Sequence, residues 1–279
     1  MELRPAALAA LCIADPRAKC EAVHRLWVDR DRLEVGPAAL ARELAEPAGA
    51  PGRPALPRLV PPGAVPQRSP FTREGRAALL HAIAHIEFNA INLALDAVWR
   101  FAGLPAAYYL DWLRVADEEA THHWLVADHL ATLGHAYGDF GAHDGLWSMA
   151  VKTRADFTAR MALVPRTLEA RGLDVTPGIQ AKLKQAGDPA AVSVLDVILR
   201  DEVGHVAIGN HWYRWACERE GRDPMAGYAE LAARYAAPRL KPPFNREARR
   251  RAGFTAAEMD WLDGLDSRER LEAAQPDGR

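Results

Sequence analysis

Four long stretches of this chain carry apolar residues at helical spacing. The first, 72–102, presents Ile83, Ile91 and Ala94 along one stripe, with Thr72 placed as N-cap. Gly103-Leu104-Pro105 stops it and starts a second helix, framed by Trp112, Val115, Val126 and Leu130 and ending near Leu133-Gly134. A Gly-rich connection, 135–147, is long enough for a crossover along one side of a bundle. The third helix spans 148–171, with Pro165 expected to kink it and Gly172 to end it. A separate helical piece, 177–185, precedes the fourth helix, which starts near Asp188-Pro189 and carries Ile198, Val206, Ile208 and Trp212 on its apolar face.

The flanks read differently. Short helices are expected at 6–14, 16–27 and 37–44. From Glu46 to Phe71, prolines at 47, 51, 54, 57, 61, 62, 66 and 70 forbid a helix, while Leu56, Leu59, Val60 and Val65 suit an arm laid along a surface. After 216 come helices at 246–252 and 255–265 and a disordered tail beyond Ser267. The expected organisation is therefore 1–70 short helices and arm, 71–215 a four-helix bundle with one long crossover, and 216–279 a helical extension.

The polar residues inside those apolar frames carry the chemistry. Glu202 and His205 form Glu-x-x-His, and Glu119 and His122 repeat it. Three residues turn a helix by about 300°, so each acid and its imidazole share one face. Glu87 precedes Glu119 by 32 residues, and Glu169 precedes Glu202 by 33. The order Glu, Glu-x-x-His, Glu, Glu-x-x-His is the ligand recipe of ferritin-like di-metal carboxylate bundles. Counted from the Gly103–Pro105 turn, Glu87 lies about 17 residues back and Glu119 about 15 forward, which sets both at one height in an antiparallel hairpin.

Four carboxylates and two imidazoles suit two divalent ions, Fe first and Mn second, with positions left open for O2. Glu119 and Glu202 are expected to bridge, Glu87 and Glu169 to bind terminally, and His122 and His205 to donate nitrogen. Metal-bound imidazoles need an acceptor on the far nitrogen; Asp201 and Glu118, each one residue before a ligand, are the candidates.

Bulk properties narrow the rest. A chain of 279 residues, 49% apolar, can bury a large core, and a net charge of −2 gives a polyanion no reason to bind. The run 246–251 holds four arginines without interleaved aromatics, a solvated helix face rather than a nucleic-acid footprint. Cys12, Cys20 and Cys217 are too few and scattered for a disulfide framework or thiolate site. No apolar run approaches the roughly 18 residues of a membrane span, and 5–14 lacks the positive flank of a signal peptide. A soluble cytoplasmic protein is expected, with homodimer formation open.

The strings His143-Asp-Gly-Leu-Trp147, Val164-Pro-Arg-Thr-Leu-Glu-Ala-Arg-Gly-Leu-Asp174, Asp201-Glu-Val-Gly-His-Val206 and Pro243-Phe-Asn245 resemble those of the bacterial ferritin-like family known as domain of unknown function 455. The resemblance covers nearly the whole chain, arm included. It implies a ferritin-like bundle with Glu87, Glu119, His122, Glu169, Glu202 and His205 as ligands, and supplies no substrate. In ligand order alone the chain is distantly similar to tRNA-hydroxylating di-iron monooxygenases. The leading expectation is an O2-activating oxidoreductase or monooxygenase acting on a small molecule or modified nucleotide with a separate electron donor. Alternatives are an iron-handling ferroxidase or store, and a bundle whose metal only stabilises it or a partner-binding surface.

Overall fold

The computed structural model describes residues 1–264, and among these every regular element is a helix. The helices are α1 (Leu3–Leu11), α2 (Pro16–Val28), α3 (Pro37–Ala41), α4 (Arg73–Arg100), α5 (Ala106–Thr132), α6 (Gly145–Lys152), α7 (Phe157–Leu163), α8 (Ala170–Gln185), α9 (Pro189–Glu220), α10 (Pro224–Arg234) and α11 (Arg246–Arg251), with a last helical stretch at 256–264. The tail expected after Ser267 lies outside the described residues. The chain forms two compact units, residues 1–151 with 180–197, and residues 152–179 with 198 onward; α8 and α9 run through both.

The first unit is organised on the α4–α5 hairpin. Thr72 caps α4 by accepting from the Gly75 amide at 3.0 Å, and the turn uses Gly103 at φ +71°, a left-handed backbone that favours glycine. α1 packs on α4 and α2 on α5. Two buried basic side chains tie these short helices down by donating to backbone carbonyls. Arg4 donates to Trp99 O and Leu40 O, and Lys19 to Leu11 O and Gly52 O, so burying the charges leaves few polar groups unmatched. The Pro-rich segment meets the loop after α5 through Val60 N to Ala142 O (2.8 Å) and Ala142 N to Arg58 O (3.1 Å).

α4 corrects one expectation. By length and apolar content it matches a membrane span, a match the sequence reading missed because His81, His85, Glu87, Asn89, Asn92 and Asp96 interrupt the apolar run. Its most apolar window is 78% buried within the fold, so it is a core helix.

The second unit departs from regular helix. Where one helix was expected over 148–171, α6 ends at Lys152 and α7 begins afresh, capped by Asp156, which accepts from Ala159 N at 2.8 Å. Pro165 does not break the chain of turns; it widens it. Residues Val164–Glu169 form a π-type turn, and the Thr167 hydroxyl donates to Ala162 O at 2.8 Å. α8 then runs through both Gly172 and Pro177, against the expected stop at Gly172. Gly172 keeps a negative φ, so nothing in its backbone terminates the helix.

The Pro165 ring seats on α9 at Gly209, where an added Cβ would lie 2.4 Å from Pro165 Cβ. Ala170, Leu173, Val203, Val206, Ala252, Phe254 and Met259 share one apolar cluster. Beside it Arg249 forks onto Asp174 at 2.9 and 2.6 Å, both side chains fully buried.

Candidate metal centre

Glu87 comes from α4 and Glu119 and His122 from α5, and the hairpin brings the three together. His122 Nδ1 lies 3.3 Å from Glu119 Oε2 and 3.4 Å from Glu87 Oε2. Glu119 and His122 are completely buried and Glu87 is 3% exposed. The second contact lacks hydrogen-bond geometry, so Glu87 Oε2 accepts no hydrogen bond among the described residues. Nearly equal counts of residues on either side of a tight turn, together with the 3.6-residue repeat, are enough to set these groups close to one level.

α9 presents the second acid–imidazole couple. His205 Nδ1 is 3.8 Å from Glu202 Oε2, with the imidazole fully buried. Glu169, 9% exposed, is the last residue of the π-type turn. Ligand atoms of Glu87, Glu119, His122 and Glu202, all buried, lie within 4.8 Å of one another, so this group can hold a metal ion. Glu169 and His205 are buried but stand outside that group of four. Asp201 accepts both arms of the exposed Arg200 guanidinium at 2.8 and 2.9 Å, and Glu118 is half-buried.

The electrostatics fit a cation. Burial, reinforced by the neighbouring Glu119 carboxylate, raises the Glu87 pKa well above the ordinary carboxylate range, and His122 opposes the shift only in part. Clustered carboxylates in an apolar interior either hold protons or meet a cation. A donor set of three carboxylates and one imidazole is oxygen-rich and has no thiolate, which suits Fe or Mn over soft ions.

Other histidines are engaged elsewhere. His123 is buried with its Nδ1 2.9 Å from Ala84 O, and burial lowers its pKa. His85 and Tyr137 carry no ligand spacing in the sequence. They instead line a cleft with Asn89 and Arg53. The signal available was His85 and Asn89 four residues apart in an apolar helix; the other wall comes from the Pro-rich segment and could not be read.

The chain is similar to a Haemophilus influenzae protein described as "Uncharacterized protein", 50% identical over 266 residues that cover 91% of each chain. No solved structure matches significantly. The family model described as "Protein of unknown function (DUF455)" matches residues 12–260. The chain therefore belongs to the DUF455 family.

Proposed function

We propose that this protein is a ferritin-like, non-haem di-metal carboxylate protein of the di-iron or Fe/Mn type, and that it activates O2 as an oxidoreductase or monooxygenase. The observation that carries the reading is the buried convergence of Glu87, Glu119, His122 and Glu202. In the proposal Glu169 and His205 would complete the set that holds the ions, Glu119 and Glu202 would be the ligands shared by both, and Asp201 and Glu118 would orient the imidazoles. Two such ions supply redox equivalents and open positions for O2. The protein's own part is to keep four carboxylates ionised in a dry interior, fix the imidazole tautomers and exclude bulk water. The substrate class is a small molecule or modified nucleotide, met in the cytoplasm with a separate electron donor. The three-part organisation 1–70, 71–215 and 216–279 belongs to the same proposal.

A second reading, metal as a structural brace only, draws on one observation: the cleft lined by His85, Asn89, Arg53 and Tyr137 holds none of the six ligands. Metal content and O2 consumption separate the readings. We expect two Fe per chain in protein purified from iron-replete cells, and O2 uptake on adding a reductant. His122→Ala should weaken metal binding by about 100-fold or more, since even outer partners of ligands cost 10–100-fold. Fewer than one metal per chain would overturn the di-metal reading. Two metals with no O2 uptake would leave the brace, and continued turnover of added Fe(II) into mineral would favour ferroxidase or storage function.

A further inference from the structure

Solvent reaches the six side chains of the proposed centre unequally. Glu119, His122 and His205 are completely buried and Glu87 is 3% exposed, whereas Glu202 is 8% and Glu169 9% exposed. A solvent-sized molecule therefore already touches the two carboxylates of the second unit, and the helices that carry them define the side from which it comes.

α8 and α9 are consecutive and joined by three residues, 186–188, so they run antiparallel. Gly172 lies 15 residues before Gly187 in that joint and Glu202 lies 15 after it, which sets the two level. The seating of Pro165 on Gly209, each 22 residues from Gly187, agrees with that register. Around the axis of α8, Ala170 and Leu173 fall about 100° and 40° to one side of Glu169. Val203 and Val206 fall likewise from Glu202 on α9, and these four share the apolar cluster. Gly172 falls about 60° to the other side of Glu169, as His205 does of Glu202. Gly172 thus faces the flank that carries the ligands, level with Glu202.

Nothing in the fold asks for glycine there. Its φ is outside the left-handed region, and a Cβ added to it would meet no other group within 4 Å among the described residues. A glycine inside a helix is destabilising relative to alanine, and no local contact offsets that. Gly209 differs, since Pro165 lies where its Cβ would go; Gly204 is equally unconfined but rotated about 200° from Glu202. Gly172 is half-buried, so the open space beside it continues to solvent.

We infer that the gap at Gly172 is the entry to the metal centre: the ions, and ligands of the size of O2, pass the bare main chain of α8 there to reach Glu169 and Glu202. The inference rests on the proposed metal site and adds the side from which it is filled. A side chain placed in a passage slows entry and exit alike and leaves the equilibrium unchanged. A residue that holds the ligands in place would instead change the affinity.

The test is stopped-flow loading of the metal-free full chain with Co(II), read from the visible absorption of the bound ion, together with release into excess EDTA. Gly172→Trp should slow loading and release by about tenfold or more, because the indole has to swing aside before the ion passes, while the dissociation constant stays within about twofold. Azide binding to the Co(II) form should slow in step. Gly172→Ala should load at the wild-type rate. So should the control Gly178→Trp, on an exposed part of α8 where an added Cβ also meets nothing. Circular dichroism establishes that each variant is folded; should Gly172→Trp not fold, Gly172→Leu takes its place. Loading of the bulky variant at the wild-type rate would overturn the inference and leave the metal site standing, as would a weaker affinity at an unchanged loading rate. Wild-type protein that takes up no Co(II) would overturn the metal site and the inference together.

Discussion

The α4–α5 hairpin and the α7–α8–α9 region each carry one lone Glu and one Glu-x-x-His, yet they are built by different means. In the hairpin both helices are regular, the turn is five residues, and counting from it places Glu87 beside Glu119 and His122. In the other region the lone Glu169 ends a π-type turn, and the helix before it is interrupted at residues 153–156. A regular hairpin needs only apolar packing to hold its register. A widened turn leaves main-chain groups to be satisfied by other means and needs external support. Three contacts provide it: Pro165 on Gly209, Arg166 on Glu258 at 2.6 Å, and Asp174 under Arg249. Arg166 is also ringed by Tyr213, Tyr228 and Phe254.

The contrast breaks most visibly at the deepest of these supports. Arg249→Met strips the fully buried Asp174 carboxylate of its nearest cation, leaving only Arg171 at 3.6 Å, and chemical denaturation should show a loss of about 3–5 kcal/mol. If the loss is below about 1 kcal/mol, the clamp does not support the irregular region.

A smaller effect, with a built-in control, comes from two glycines on α9. Gly209→Ala drives a methyl into Pro165 and should cost about 1–3 kcal/mol. Gly204→Ala meets nothing within 4 Å and should gain about 0.5–1 kcal/mol from helix propensity. Urea melts giving both variants the same sign would contradict the seating of Pro165 on α9.

An effect spread over several pH units, and so smallest per unit step, sharpens the comparison from the hairpin side. In metal-free protein the folded state holds the Glu87 proton more tightly than the unfolded chain does. Stability therefore falls as pH rises from the unfolded carboxylate value, about 4.3, towards the raised folded one, with a slope of at most about 1.4 kcal/mol per pH unit. Metal binding displaces that proton, so loading should strengthen over the same window as pH rises. Glu87→Gln should flatten the metal-free profile; an unchanged slope would show that Glu87 does not control it.

Much of the site was legible because its spacing is a property of the helix itself. Two Glu-x-x-His couples fall on single faces whatever surrounds them, and Glu87 and Glu119 sit nearly level because similar lengths of helix leave one turn. The helical stretches 72–102 and 105–134 match α4 and α5 closely because Thr72, Gly103, Pro105 and Gly134 punctuate them. Legibility failed where the outcome depended on partners. Pro165 signals a disturbance but not its kind; the π-type turn forms with Gly209 ready to receive the ring and Thr167 to take up a carbonyl. Gly172 and Pro177 read as breakers, yet α8 passes through both, with Leu173 and Asp174 anchored to α11 and its neighbours.

By itself the sequence determined the all-helical class, the main helix limits and the identity of the buried acids and imidazoles, because these rest on periodicity and local capping, which act over a few residues. Only the tertiary structure decided that Arg4 and Lys19 are buried, that a π-type turn carries Glu169, and that the Pro-rich segment walls a cleft on α4. Each of those depends on groups far apart in the chain meeting in space, and burial, the strongest influence on a polar group, is set by that meeting and by no local pattern.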